Sequence, residues 1–493
     1  MGKISKILIS NRGEIAVRII RSARELGIKT VAVFSDPDRD SLHVKLADEA
    51  YPLKGITSAE TYLDTDKIIK VCKELGVDAI HPGYGFLSEN AGFADRVRKE
   101  GIIFIGPSAK AIEIMGSKLA AKETVKAFGV PLVPGMDEPI TDIEKAKTIA
   151  NEIGFPVLIK ASAGGGGKGM RIVNKKEEFE EQMERAVSEA KSAFGDGAVF
   201  IEKFVTEPKH IEVQILGDEH GNIVHLFERE CSIQRRHQKV VEEAPSAILN
   251  DEKRRAIGES AVNVAKSCGY YGAGTVEFIY DSTGNFYFLE MNTRLQVEHP
   301  VTEMITGVDL VKEQINIAEG NELSFKQEDL KINGHSIELR VYAENPKANF
   351  LPDIGVLQTY KRPQGPGVRL DDGFEEGMEV SMHYDPMIAK LIVHGKDREE
   401  AIERMNRAIK EYKISGIETT LSFGKFAINH PVFKDGSFTT KFVEEYFKPE
   451  LLEDLLEDEK EIAALLAAWH LTNNKPQILE INTEKSNWRN RLL

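Results

Sequence analysis

The sequence predicts a protein of α/β and α+β class built from three domains. These are an N-terminal open parallel α/β sheet, a central domain carrying a mobile glycine-rich lid, and a C-terminal mixed sheet-and-helix domain. Three observations lead there. Residues 1 to about 115 alternate buried apolar runs with amphipathic stretches, the mark of a parallel sheet. Four consecutive glycines in "KASAGGGGKGM", Lys160 to Met170, lie between two strand-like runs. The segments "TVEFIY" and "FYFLEMN" flank the turn signal "DSTGN" and read as a hairpin. A chain of 493 residues has room for about three domains.

In the first 115 residues, "KILIS" reads as a buried strand and "GEIAVRIIRSARELG" as an amphipathic helix ending at Gly27. "TVAVF", "DAIHP" and "IIFIG" continue the strand series. The loop "NRGE" after the first strand lacks a glycine fingerprint, so no dinucleotide is placed there. "HPGYGFLSEN" follows the strand at Ala79-Ile80, where loops of parallel sheets line a ligand crevice. His81 and Tyr84 either face that crevice or pack a Gly-Pro turn.

The glycine run lies in the central segment, about 116–333. A Walker A loop fails on spacing, because Gly169 follows Lys168 and Ser162 stands where the first glycine belongs. G-x-G-x-x-G does match at Gly164, Gly166 and Gly169, but the run leads into Met170-Arg171-Ile172-Val173, a strand and not a helix. Strand–glycine loop–strand is a flap over phosphates, whose bare amides approach an anion without side-chain obstruction. A plain surface turn is the bland alternative, and it has no need of four glycines.

Further along, "LEMNTRLQVEH" puts Glu290, Asn292, Arg294, Gln296 and Glu298 on every second position, one face of an extended chain. A four-residue hairpin loop, 282–285, places Glu277 directly opposite Glu290. Two carboxylates about 5 Å apart repel by about 3 kcal/mol at an effective dielectric near 20. A divalent cation turns that repulsion into ligation, and Asn292 adds a further hard oxygen. "CSIQRRHQKVVEEAP" concentrates Arg235, Arg236, His237 and Lys239, read as an anion site in an otherwise acidic chain. Lys118 and Lys160 are further candidate phosphate contacts. From about 334 to 446, "HSIELRVYA" and "MIAKLIVHG" read as strands before the helix "DREEAIERMNRAIKEY". The last segment, 447–493, is an acidic helical tail.

Composition narrows the function. A net charge of −15 argues against a nucleic-acid surface. Cys72, Cys231 and Cys268 are far apart and odd in number, which suits a reducing cytoplasm and makes no metal pattern. The first residues hold too short an apolar run for a signal peptide, and the longest apolar stretch, Ile462 to Trp469, is too short to span a membrane. The apolar alternation around Lys390 in "DPMIAKL" reads as a strand in a packed domain.

Together, "SNRGEIAVRIIRSARELG", "HPGYGFLSEN", "KASAGGGGKGM", "ERECSIQRRHQKVVEEAPS", "FLEMNTRLQVEHPVTE", "ELRVYAE" and "YDPMIAKLI" resemble the biotin carboxylase family of the ATP-grasp superfamily over residues 1–446. Ala163 departs from the pattern, standing where many members extend the glycine run. The resemblance implies that Lys118, Lys160, Gly166, Gly167, Glu202, Lys203, Phe204, Val205, His210, Gln234 and His237 contact ATP. It implies that Glu277, Glu290 and Asn292 hold Mg²⁺ or Mn²⁺, with the two glutamates also serving the nucleotide. Lys239, Arg294, Gln296 and the Val297 backbone would bind bicarbonate, with Arg340 and Tyr84 by the biotin ring. Glu298 would be the general base, with Arg294, Arg340 and Lys239 beside it in catalysis. The implied partners are a second copy in a homodimer, a separate biotin carrier protein or domain, and a carboxyltransferase polypeptide. The implied role is that of the biotin carboxylase subunit of pyruvate carboxylase, in preference to that of acetyl-CoA carboxylase. The alternatives are a carboxylate–amine ligase of the same superfamily and a non-catalytic nucleotide-binding subunit.

Overall fold

The computed structural model describes residues 3–136, 138–161, 170–194, 197–236, 238–452 and 457–473. The glycine run, with Gly166 and Gly167, and His237 lie outside them. The chain divides into two compact units, residues 1–449 and 450–493.

The first unit opens with a five-stranded parallel sheet in the order β3-β2-β1-β4-β5. Its strands are β1 (Lys6–Ile9), β2 (Lys29–Phe34), β3 (Glu49–Pro52), β4 (Ala79–His81) and β5 (Ile103–Phe104). Between β1 and β2, helix α1 (Gly13–Glu25) buries Ile15, Ala16, Ile19, Ile20 and Ala23. The i, i+4, i+8 spacing of Ile15, Ile19 and Ala23 puts them on one face. That face packs with Ile7 and Ile9 of β1 in one apolar core. The chain leaves the helix at Gly27, whose φ of +74° is the left-handed turn expected of a glycine there.

The strands flanking the glycine run form a hairpin. β6 (Val157–Ala161) pairs antiparallel with β7 (Met170–Val173) and, on its other edge, with β8 (Val199–Lys203). The helices Ile143–Ile153 and Phe179–Phe194 share this small sheet's own core, through Ala146, Ala150, Phe179 and Met183.

The largest element is an eight-stranded antiparallel sheet. It runs β13-β12-β9-β10-β11-β14, then the strands Met387–Gly395 and Val368–Asp372. Here β9 is Lys209–Gly217, β10 Ile223–Arg235, β11 Gln238–Ala244, β12 Gly272–Tyr280, β13 Phe286–Asn292 and β14 His335–Tyr342. The β11–β14 ladder joins the central and C-terminal segments directly: Val241 faces Leu339 and Glu243 faces Ile337. The C-terminal helix Arg398–Glu411, capped by Asp397, closes the core beneath.

The β12–β13 hairpin corrects the expected loop. Tyr280 pairs with Phe286, so the connection is five residues, Asp281 to Asn285. Asp281 fills it, accepting hydrogen bonds from the backbone of Thr283 (2.9 Å) and Asn285 (2.8 Å). A bulge then restores the register, and Glu277 pairs with Glu290 as expected. Leu289 is the extra residue and points outward, 44% exposed.

A second correction concerns residues 293–298. The strand ends at Asn292, and Thr293 to Glu298 form a turn that leads into the helix His299–Thr306. Pro300, in the first turn of that helix, favours helical backbone and cannot donate to a strand ladder. Arg294, Gln296 and Glu298 therefore do not share a strand face, although the site still gathers them.

Buried charge is dense in the large sheet. Burial pushes the Glu230 carboxyl up to about 7, against the pull of Lys209 and Ser232. The folded state then holds a proton that the unfolded chain releases nearer pH 4.5, so this group's contribution to stability falls as pH rises through that window. Glu230→Gln should flatten the loss of unfolding free energy between about pH 5 and about pH 7.5 by on the order of 2–3 kcal/mol. Chemical denaturation at the two pH values checks it.

Candidate functional site: a carboxylate–ammonium cluster beside an open cavity

At the centre lies Lys239, at the start of β11. Its ammonium reaches Glu212 Oε2 at 2.5 Å, Glu298 Oε1 at 2.7 Å and Glu277 Oε1 at 3.1 Å. Burial alone would lower the pKa of Lys239, but Glu212, Glu277 and Glu298 outweigh it and hold the ammonium charged. Arg340, from β14, donates Nε to Glu242 Oε1 at 2.6 Å and NH2 to Glu298 Oε2 at 2.9 Å. Glu298 is thus strung between two cations that the family resemblance assigns to substrate binding. Burial would raise its carboxyl, yet Lys239, Arg340 and Arg229 hold it well below the usual range. It is ionised at neutral pH and able to accept a proton.

A parallel network orders the Glu277–Glu290 carboxylate pair. Glu277 Oε1 accepts from Asn292 Nδ2 at 2.8 Å and Gln296 Nε2 at 2.9 Å, and Glu277 Oε2 lies 3.0 Å from His210 Nε2. Burial would raise Glu277, but Lys239 and His210 hold its carboxyl far below normal. Glu290 behaves in the opposite way: burial and then the charge of Glu277 push its carboxyl up. A half-buried carboxylate paired in register with a second one fits a divalent cation. Asn292 fits less directly, since its amide nitrogen faces Glu277 and its oxygen accepts from Arg294 NH2 at 3.0 Å.

Arg294 also donates Nε to Glu89 Oε2 at 2.8 Å, and Glu89 Oε1 takes the Thr293 amide at 3.1 Å. Glu89 belongs to the "HPGYGFLSEN" loop, which therefore does line the site. The turn in that loop needs Gly83, with φ +62°, because a Cβ there would meet Asn11 Nδ2 at 2.9 Å. Asn11 in turn donates to the carbonyls of Pro82 and Tyr84, both at 2.7 Å. Tyr84 is thereby set on the wall of a cavity of about 460 Å³ shared with Arg294, Val297, Arg340 and Gln238. Its hydroxyl is buried without a hydrogen-bond partner among the described residues. His81 is buried behind the loop, its Nδ1 taking the Gly83 amide at 3.1 Å, so it packs the turn.

The expected nucleotide contacts spread over the two sheets. Lys160 of β6 forms an ion pair with Glu202 of β8. Lys203 is tied to the carbonyls of Gly154 (2.8 Å) and Phe155 (3.1 Å), with Phe204 and Val205 just beyond it. Gln234 donates to the Cys231 carbonyl at 2.8 Å. Lys118 begins the helix Lys118–Lys126 and is exposed, its charge acting on Glu290.

Four residues of the site do not stand out in the sequence: Glu89, Glu212, Arg229 and Glu242. Arg229 is fully buried and makes five side-chain hydrogen bonds, to Glu212 (2.5 Å), Gln214 and Gln296 (2.8 Å), Thr302 (2.9 Å) and Thr275 (3.1 Å). Gln296 is therefore a clamp between Arg229 and Glu277. A signal for Glu212 does lie in "KHIEVQILG", where His210, Glu212 and Gln214 alternate with apolar residues along β9.

Comparison with known proteins identifies the family and the fold. Residues 3–112 match the family model "Biotin carboxylase, N-terminal domain", residues 117–326 "Carbamoyl-phosphate synthase L chain, ATP binding domain", and residues 338–445 "Biotin carboxylase C-terminal domain". Biotin carboxylase 1 of Bacillus subtilis is 54% identical over 444 residues, covering 90% of this chain and 99% of its own length. A pyruvate carboxylase subunit of Methanothermobacter thermautotrophicus is 53% identical over 442 residues, covering 90% of each. Among solved structures, the biotin carboxylase domain dimer of Hydrogenobacter thermophilus 2-oxoglutarate carboxylase, in complex with MgADP, ADP and bicarbonate, superposes with a TM-score of 0.80. It is 51% identical, and the match covers 92% of this chain and all of that one. Fold and site thus define an ATP-grasp ligase in which an N-terminal parallel sheet and a C-terminal domain flank the nucleotide-binding core. The chain belongs to the biotin carboxylase family. Its reaction is the ATP-dependent carboxylation of biotin.

Proposed function

We propose that this chain is the biotin carboxylase subunit of a multisubunit carboxylase and that the cluster around Lys239 activates bicarbonate. The carrying observation is that Glu298 bridges Lys239 and Arg340, and that Arg340 itself lines the Tyr84 cavity together with Val297, the residue before Glu298. An entering anion competes with Glu298 for both cations. As they turn to the substrate, the carboxylate loses its stabilisation and its basicity rises. Lys239, Arg294 and the Val297 amide hold bicarbonate while Glu298 takes its proton. The anion attacks the γ-phosphate of ATP, giving carboxyphosphate and ADP. Carboxyphosphate then releases CO₂ and phosphate; the phosphate takes the N1′ proton of biotin, and N1′ of the resulting enolate bonds to the carbon of CO₂, giving carboxybiotin and hydrogen phosphate. Arg340 and Tyr84 orient the biotin ring, and Arg340 stabilises the enolate that forms. Glu277 and Glu290 would hold a divalent cation, which when bound would supply charge compensation to the phosphates.

Phosphate release from ATP, measured with bicarbonate and free biotin together, tests this reading. Stimulation by both is expected. Stimulation by a carboxylate and an amine instead would mark a carboxylate–amine ligase. On the nucleotide side, Glu290→Gln should weaken Mg-ATP binding by at least about tenfold. A titration showing wild-type affinity would remove Glu290 from the cation site.

The carrier, the carboxyltransferase and the acceptor belong to the same proposal. Pyruvate carboxylase is favoured by the Methanothermobacter relative and by the tail, which extends past the biotin carboxylase domains. A homodimer is favoured by the dimeric neighbour. The described cysteines are unpaired, consistent with a cytoplasmic enzyme, and no described helix is long and apolar enough to cross a membrane. In the second unit, the helix Glu457–Asn473 exposes Ile462, Leu465, Leu466 and Trp469, each more than half accessible. Such a stripe calls for a covering surface, on a partner subunit or on the rest of the chain. Truncation after residue 447 should leave carboxylation of free biotin near normal and weaken assembly with the carboxyltransferase polypeptide, read by co-purification. Loss of the basic reaction in a folded truncate would overturn the role given to the tail.

A further inference from the structure

Lys390 lacks the setting of a biotinyl lysine, and its place in the fold is behind the site. It lies on the strand Met387–Gly395, paired across the sheet with Arg340, and is fully buried. Its ammonium donates to the Val297 carbonyl at 3.0 Å and lies 3.2 Å from Glu14 Oε2 and 3.8 Å from Asp371 Oδ2. Asp371 is already matched, by the two-pronged hydrogen bonds of Arg369.

Burying an ammonium is expensive, and an apolar side chain of similar size would serve a core at least as well. The geometry points to another use. The Val297 carbonyl belongs to the peptide unit that leads into Glu298. That unit is planar, so holding its oxygen fixes the plane from which the Glu298 backbone departs. The segment is a turn with no ladder to hold it. We infer that Lys390 is a positioning residue for bicarbonate activation: it anchors the Val297–Glu298 peptide and ties it to the start of α1 through Glu14. The inference rests on the roles proposed above for Val297 and Glu298.

Two variants test it. Lys390→Met removes the charge at similar size but leaves Glu14 buried without its cation. Lys390→Met/Glu14→Gln removes that orphaned charge as well. In both, the bicarbonate KM should rise by about tenfold or more, the scale of a small misplacement of a reacting group. Mg-ATP affinity should stay close to that of the wild type. The thermal midpoint should fall in the single variant and recover in the double. If the double variant recovers its bicarbonate KM along with its midpoint, Lys390 merely balances Glu14 and the inference fails. An unchanged KM in the single variant overturns it too. Wild-type protein without bicarbonate-stimulated ATP cleavage would instead overturn the underlying reading.

Discussion

Glu298→Gln should lower bicarbonate-dependent ATP cleavage by about 10²–10⁴-fold, the range for loss of a general base, while Mg-ATP affinity changes little. Bicarbonate is a poor nucleophile until its remaining proton leaves, and the proton needs an acceptor within hydrogen-bond reach. Glutamine keeps the size and can still accept a bond from Lys239 or Arg340, but its amide is not basic. The carboxylate of Glu298 bonds to Lys239 and Arg340, and glutamine leaves the charges of Glu277 and Glu290 in place, so the nucleotide side should be spared. Initial rates across a bicarbonate series, with nucleotide affinity measured separately, separate the outcomes. A variant that loses ATP binding yet turns over normally at saturation would make Glu298 a nucleotide or metal ligand.

Lys239→Met should be the more damaging change. It strips one cation from Glu212, Glu277 and Glu298, all of them buried. Breaking a buried pair from one side typically costs about 3–5 kcal/mol, because the abandoned charge remains. Glu212 keeps Arg229, Glu298 keeps Arg340 and Glu277 keeps His210, but the three lose the ammonium they share, so the base is misplaced as the anion anchor is lost. Bicarbonate-dependent turnover should fall by at least about 10²-fold, and the thermal midpoint of the unliganded protein should drop. Adding Glu298→Gln should recover part of that midpoint, since the two sites share one interaction and their effects do not add. A Lys239→Met protein with unchanged midpoint and unchanged bicarbonate saturation would refute the cluster's role.

Much of this is legible in the chain, and the limits have physical causes. Four of the five strands of the parallel sheet and its first helix follow from their periodicity, whereas β3, with the sequence EAYP, carries no apolar run to announce it; the opposition of Glu277 to Glu290 follows from a hairpin signal. The bulge at Leu289 does not, because an extra residue in a strand leaves the alternation around it almost intact. The strand pattern runs on to Glu298 for a related reason. Thr293 to Val297 alternate polar and apolar residues as a strand would, and only Pro300 announces the helix. Arg229 and Glu242 stay hidden because their partners come from other strands: Glu212 is 17 residues from Arg229, and Arg340 is 98 from Glu242. A charged residue in a strand looks the same whether it faces water or a counter-ion. Residue roles follow from long motifs, whereas the internal network that holds them emerges only with the packing.

The unbroken ladder from β11 to β14 bears on how this protein can be divided. Family models place a boundary between residues 326 and 338, yet the hydrogen-bonded sheet crosses it. A fragment ending there would uncover the edge of β11, with its row of unpaired amides and carbonyls open to strand addition from another molecule. It would also leave Glu242 and Glu298 without Arg340. The C-terminal portion is therefore no detachable accessory: it is half of the bench on which the reacting groups are mounted, and the two halves must be inherited, expressed and engineered as one piece.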